Sequence, residues 1–156
     1  MSTKEHRIGE IVAEHHRREG PLLPILHEVQ AEFGCVDTES EALIAKGLNL
    51  SRADVHGVVS FYHDFRPHPP GRHVIRLCRA ESCQATGAVA LAEHVCRRLG
   101  ADFGATTTDG EFTLEAVYCL GNCGCSPAMT LNDELYGRVT PELFDHLVAE
   151  RKASRG

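Results

Sequence analysis

No apolar run in these 156 residues approaches the roughly 20 that span a bilayer; the longest small or apolar stretch is about Gly87 to Ala92. Direct membrane insertion is therefore not expected. The N-terminus, Met1-Ser-Thr-Lys-Glu-His-Arg-Ile-Gly-Glu10, has no apolar middle region of a secretory signal, and a cytoplasmic protein is expected. Basic residues are outnumbered, 16 against 22 acidic, and the formal net charge of -6 has the wrong sign for neutralising phosphates. Nucleic acid is excluded as the main partner. Tryptophan is absent and aromatic residues are few. There is no Cys-x-x-Cys, so a thioredoxin-type redox site is excluded. There is no His-Glu-x-x-His, no phosphate-cradling glycine loop and no nucleophile elbow either. No element of the chain is therefore expected to bind a nicotinamide, a flavin or a molybdenum cofactor.

What remains is an ordinary globular composition, with 42% hydrophobic and 24% charged residues, which excludes disorder or coiled coil as the dominant state. The first 71 residues read as a small helical bundle. Lys4 to Glu19 is helix-spaced and stopped by Gly20-Pro21, and Leu22 to Phe33 follows with Gly34 as terminator. A third helix covers Thr38 to Leu48. Ser51 and Asp54 form the two halves of a capping box opening a fourth. After Pro67, Pro69, Pro70 and Gly71 the pattern changes. A strand from His73 to Leu77 delivers Cys78, a helix runs from Thr86 to Leu99, and a strand from Phe112 to Tyr118 delivers Cys119. A hairpin spans Ala128–Leu131 and Glu134–Val139, and Pro141 opens a last helix ending near Lys152. The expected architecture is α/β: a helical domain over residues 1–71, then a small mixed sheet of thioredoxin-like order over 72–156.

Seven cysteines, odd in number and unevenly spaced, point to thiols and metal rather than to a disulfide framework. Cys78-Arg-Ala-Glu-Ser-Cys83 and Cys119-Leu-Gly-Asn-Cys123 each place two thiols in a short loop after a strand, and the four converge if the strands are neighbours. Such a set suits zinc or an iron–sulfur cluster. Zinc turns favour a two-residue gap, which aims both sulfurs at one ion about 2.3 Å away. Gaps of four and three residues open the loops wider, as a binuclear core requires. Thr86 stands where a plant-type ferredoxin needs cysteine, and none of the four has the histidine partner of a Rieske centre. Spacing favours 2Fe–2S and leaves zinc, in a colourless adaptor module, as the alternative.

Cys78-x4-Cys83 with Cys119-x3-Cys123 and Ser126-Pro127-Ala128 resembles the thioredoxin-fold 2Fe–2S subunits of respiratory complex I, NAD-reducing hydrogenases and soluble NAD-dependent formate dehydrogenases. Upstream, Pro21-Leu-Leu-Pro-Ile-Leu-His27 and Val55-His-Gly-Val-Val-Ser-Phe-Tyr-His-Asp-Phe65 are similar to the helical segment of that family. The runs Cys78-Arg-Ala-Glu-Ser-Cys83-Gln-Ala-Thr-Gly87 and Cys119-Leu-Gly-Asn-Cys123-Gly-Cys-Ser-Pro127 look most like the γ subunit of the molybdenum-containing formate dehydrogenase.

The resemblance implies one 2Fe–2S cluster held by Cys78, Cys83, Cys119 and Cys123, in an electron-transfer subunit that is not catalytic alone. It implies a β-subunit partner carrying FMN and binding NAD, and a larger α subunit with molybdenum cofactor and iron–sulfur clusters. Complex I or an NAD-reducing hydrogenase is the alternative assembly. The helical domain would serve docking. Gly87, Gly121 and Gly124 would let backbone N–H groups approach the sulfurs, and the helix opening near Thr86 would turn its positive end to them. Arg76 and Arg79 flank the first cysteine, and one guanidinium is expected near the site, tuning its potential. Cys96 is expected to be buried as a small hydrophobe, and Cys125 to be a thiol behind the ligands.

Overall fold

A computed structural model describes residues 2–154 of the chain. It contains two compact units, Met1–Pro69 and Pro70–Gly156.

The first unit is four helices, each bounded by local chemistry. Helix α1 (Thr3–His15) starts at Ser2, whose hydroxyl accepts the Glu5 N–H at 3.1 Å. It ends four residues before the expected Glu19, because His16 to Glu19 are exposed and offer no apolar face to bury. Helix α2 (Leu22–Phe33) stops at Gly34, at φ 78°, where the missing Cβ permits the left-handed turn. Helix α3 (Thr38–Leu48) is capped by Asp37, and helix α4 (Arg52–Phe61) opens with the Ser51–Asp54 capping box. Ile8, Ile11, Ile25, Leu26, Val29, Ile44 and Val55 are essentially without solvent contact and form the core of this unit.

The second unit is built on strand β1 (His73–Cys78), which pairs in parallel with β2 (Phe112–Val117). On its other side β1 runs antiparallel to β3 (Met129–Leu131), which pairs with β4 (Glu134–Tyr136). The order is β2-β1-β3-β4. A five-residue helix, α5 (Glu81–Ala85), follows β1, then α6 (Ala88–Leu99), and α7 (Pro141–Ala153) closes the described chain. The expected start of α6 at Thr86 moves to Ala88, because Gly87 sits at φ 103° and Thr86 already caps α5. The core joins Ile75, Leu77, Phe112, Leu114, Met129 and Leu131 of the sheet to Leu91 and Val95 of α6 and Phe144 and Val148 of α7. The α/β class and the helical region followed by a thioredoxin-like mixed sheet are as the sequence indicates. Among the described residues no helix is long and apolar enough to cross a membrane.

Candidate metal centre

The register of β1 and β2 places Cys78, the last residue of β1, opposite Val117, the last of β2. Both strands therefore discharge their following loops at the same end of the sheet, where open α/β sheets bind their ligands. Cys78 is locked there by its own N–H, which donates to Ala128 O at 3.0 Å, and by the Arg79 N–H, which donates to Val117 O at 2.7 Å. Cys83 lies on α5 rather than in the open loop that spacing suggested. Cys78 and Cys83, each 2% exposed, pack with Ala88 and Ala128. Burial raises the Cys83 pKa; the Ala128 N–H donated to its sulfur opposes that, and the neighbouring Cys78 and Cys123 thiols raise it again.

The second pair is exposed. Cys119 stands at φ 151°, a backbone region that non-glycine residues rarely adopt and that costs about 1–3 kcal/mol. Two residues on, Gly121 at φ 74° turns its N–H onto the Cys119 sulfur at 3.3 Å. A 3-10 turn, Cys123–Cys125, then brings Cys123 Sγ to 4.0 Å from Cys119 Sγ. The Cys123 pKa is raised by the hydrogen bond and charge of Cys119, and further by Cys78. The four thiols thus form one electrostatic group, linked from Cys83 through Cys78 and Cys123 to Cys119.

This donor set fits an iron–sulfur cluster. Thiols that raise one another's pKa become thiolates together only beside compensating positive charge, and two N–H donors already face the sulfurs. Among the described residues, no three His, Cys, Asp or Glu side chains are drawn together closely enough to hold a metal ion. The sulfurs form two pairs.

The Arg76 guanidinium bonds Glu115 at 3.1 Å and Asp133 at 2.7 Å. Arg79 stacks on Phe103, 4.9 Å from the ring centroid. Each guanidinium is thus held by a partner of its own and keeps its charge. Of the three glycines named above, Gly121 has an N–H donated to a sulfur of the set. Cys35 is buried and Cys96 half-buried, the latter against the sheet core. Cys125 is half-buried too, and its Cβ occupies the space where Gly137 has no side chain.

Three participants escaped the sequence reading. Ser82 and Ser126 bond each other and the Cys123 carbonyl, and Gly137 backs the turn that carries Cys123. A serine beside each cysteine pair was the visible signal for the first two, and Gly137 had none.

A fold with four thiols at the strand ends defines a thioredoxin-like iron–sulfur protein. The chain belongs to the thioredoxin-like [2Fe-2S] ferredoxin family, whose model matches residues 8–152.

Among its relatives, it is 33% identical over 134 residues to the NADP-reducing hydrogenase subunit HndA of Solidesulfovibrio fructosivorans, covering 86% of this chain and 78% of the relative. It is 36% identical over 132 residues to an NADH-quinone oxidoreductase subunit of Pseudomonas aeruginosa, covering 83% and 80%. Subunit 2 of the Thermus thermophilus NADH-quinone oxidoreductase is 33% identical over 139 residues, covering 88% and 77%. The fold also matches a crystal structure of an NAD+-reducing [NiFe]-hydrogenase in the air-oxidised state, with TM-score 0.73 and 24% identity. That match covers 86% of this chain and spans 23% of the hydrogenase chain. These relatives are hydrogenase and quinone oxidoreductase subunits. The likeness to a formate dehydrogenase γ subunit rests on the motifs alone.

Proposed function

We propose that this chain holds one 2Fe–2S cluster on Cys78, Cys83, Cys119 and Cys123 and passes single electrons within an NAD(P)-linked oxidoreductase of the NADH-quinone oxidoreductase or hydrogenase kind. The observation that carries the reading is the meeting of two sulfur pairs at the ends of two neighbouring parallel strands. The names of the relatives favour these assemblies over formate dehydrogenase. The run Cys119-Leu-Gly-Asn-Cys123-Gly-Cys-Ser-Pro127 favours the second reading, a γ subunit beside a molybdenum-containing α subunit.

When bound, the cluster supplies a one-electron store. The chain's own residues do the rest. Four thiolates hold it, and the N–H groups of Gly121 and Ala128 offset their negative charge. Cys78 and Cys83 are sealed while Cys119 and Cys123 reach the surface, so an electron partner comes closest to the second pair. That partner is a flavin- and NAD-binding subunit, in a cytoplasmic or membrane-peripheral complex. The helical unit, with exposed Leu50, Phe61 and Tyr62, serves docking.

The test is anaerobic loading of the full chain with iron(II) and sulfide. A visible and EPR spectrum of a binuclear cluster, with one electron taken per chain from dithionite and none from NADH until the flavin subunit is added, is the expected result. A colourless chain that takes up one zinc and no iron establishes the adaptor instead.

A further inference from the structure

Cys83 and Cys123 belong to different loops, yet the residues beside them are joined. Ser126 Oγ donates to Cys123 O at 2.8 Å. Ser82 Oγ lies 3.0 Å from Ser126 Oγ and 3.3 Å from the same carbonyl. Each hydroxyl carries one proton. The short bond to Cys123 O takes that of Ser126, which leaves Ser126 Oγ as an acceptor for Ser82. The end of α5 is stiffened separately, by Thr86 Oγ1 donating to Ser82 O at 3.0 Å and to Cys83 O at 3.1 Å. On its other side the 3-10 turn is held by the Arg138 N–H on Cys125 O at 2.6 Å. Both serines are half-buried.

We propose that Ser82 and Ser126 are positioning residues that latch the buried cysteine pair to the exposed one and so fix the separation of the two pairs. The inference rests on the cluster reading above. A binuclear core has a fixed size, so four thiolates hold it without strain only while their two loops keep one spacing. Cys123 is exposed on a short turn, and without the latch that turn moves independently of α5. Water and chelators then reach the metal from the Cys119–Cys123 side. The shared carbonyl makes the serines a unit: Ser82 reaches Cys123 O both through Ser126 and directly.

The test uses the full chain loaded with iron(II) and sulfide, as wild type and as Ser82→Ala, Ser126→Ala, the double variant and Ser82→Thr. Three quantities are read: the rate at which a strong iron chelator bleaches the visible absorption, the midpoint potential, and the EPR line shape. Ser82→Ala and Ser126→Ala are expected to bleach about fivefold faster, with changed EPR anisotropy, the size of one neutral hydrogen bond. Ser82→Thr restores the wild-type rate and spectrum. The double variant loses less than the sum of the two single losses, as coupled residues require. Loaded variants with wild-type rate, potential and line shape overturn the latch and leave the cluster reading standing. So do equal losses in Ser82→Ala and Ser82→Thr. A wild-type chain that binds no iron and sulfide overturns both.

Discussion

Cys119 Sγ stands 3.3 Å from the N–H of Gly121, at the start of the loop that ends with Cys123 Sγ 4.0 Å away from it. A single five-residue segment therefore supplies two sulfurs and one donor aimed at the first of them. This is possible because Cys119 and Gly121 both take positive φ, at 151° and 74°. The strain at Cys119 is the cost of turning both sulfurs to the same side.

Replacing Cys78, Cys83, Cys119 or Cys123 by Ser is expected to lose or badly distort the cluster. Cys35→Ser, Cys96→Ser and Cys125→Ser are expected to keep it, the first two with reduced stability because they place a hydroxyl against apolar surroundings. Iron and sulfide analysis with the visible spectrum decides. Full iron in any one of the four, with an unchanged spectrum, would show Cys125 taking over as ligand.

A Cβ at Gly137 would lie 2.7 Å from the Cys125 Cβ and 2.8 Å from both Cys125 O and Asn122 Nδ2. Gly137→Ala therefore pushes on the backbone of the turn bearing Cys123 and is expected to cost about 1–3 kcal/mol. Because the strain falls on that turn, cluster retention should drop more than the melting temperature of the cluster-free chain. Equal retention in variant and wild type would place the relief elsewhere.

In the helical unit, a Cβ at Gly47 would meet Val12 Cγ1 at 2.8 Å. Val12 is β-branched and buried on α1, where one χ1 rotamer is strongly preferred. Gly47→Ala is expected to destabilise by about 1–3 kcal/mol despite the better helix propensity of alanine. Adding Val12→Ala should recover part of that loss. A thermal-melt double-mutant cycle with no coupling between the two would contradict the overlap.

Asp37 caps α3 and meets Lys4 Nζ of α1 at 2.7 Å. Burial would raise its pKa, but the Lys4 ammonium and the Ser40 N–H and hydroxyl hold it down at about 2, against an ordinary 3.8. A carboxylate with a depressed folded-state pKa adds stability that is complete above its unfolded value. That stability is lost as pH falls from about 4 through about 2. The shift would convert to about 2.5 kcal/mol, but the side chain is 37% exposed, and screening leaves about 1 kcal/mol. Asp37→Asn keeps the cap and removes the charge. It should lose about 1 kcal/mol at pH 7 and flatten the stability profile between pH 2 and 4. Urea midpoints across that range test it; an unchanged slope would assign the acid sensitivity to another carboxylate.

Most element boundaries were legible because their causes are local. Gly34 ends α2 and the Ser51–Asp54 box opens α4 through bonds between residues no more than four apart. The cysteine pairs were visible for the same reason, each lying within one loop beyond one β-favouring run. What escaped depends on residues distant in sequence. Five residues around Cys83 form a helix too short to leave a periodic signature. The guanidinium of Arg79 went to Phe103, and that of Arg76 to Glu115 and Asp133. Ser82 met Cys123 and Ser126 across 41 and 44 residues of chain. Spacing in the sequence determined which sulfurs come as pairs. The parallel register of β1 and β2 decided that the pairs meet, which is sealed and which is open. Side-chain partners across a sheet are chosen by strand pairing, and pairing is a property of the whole fold.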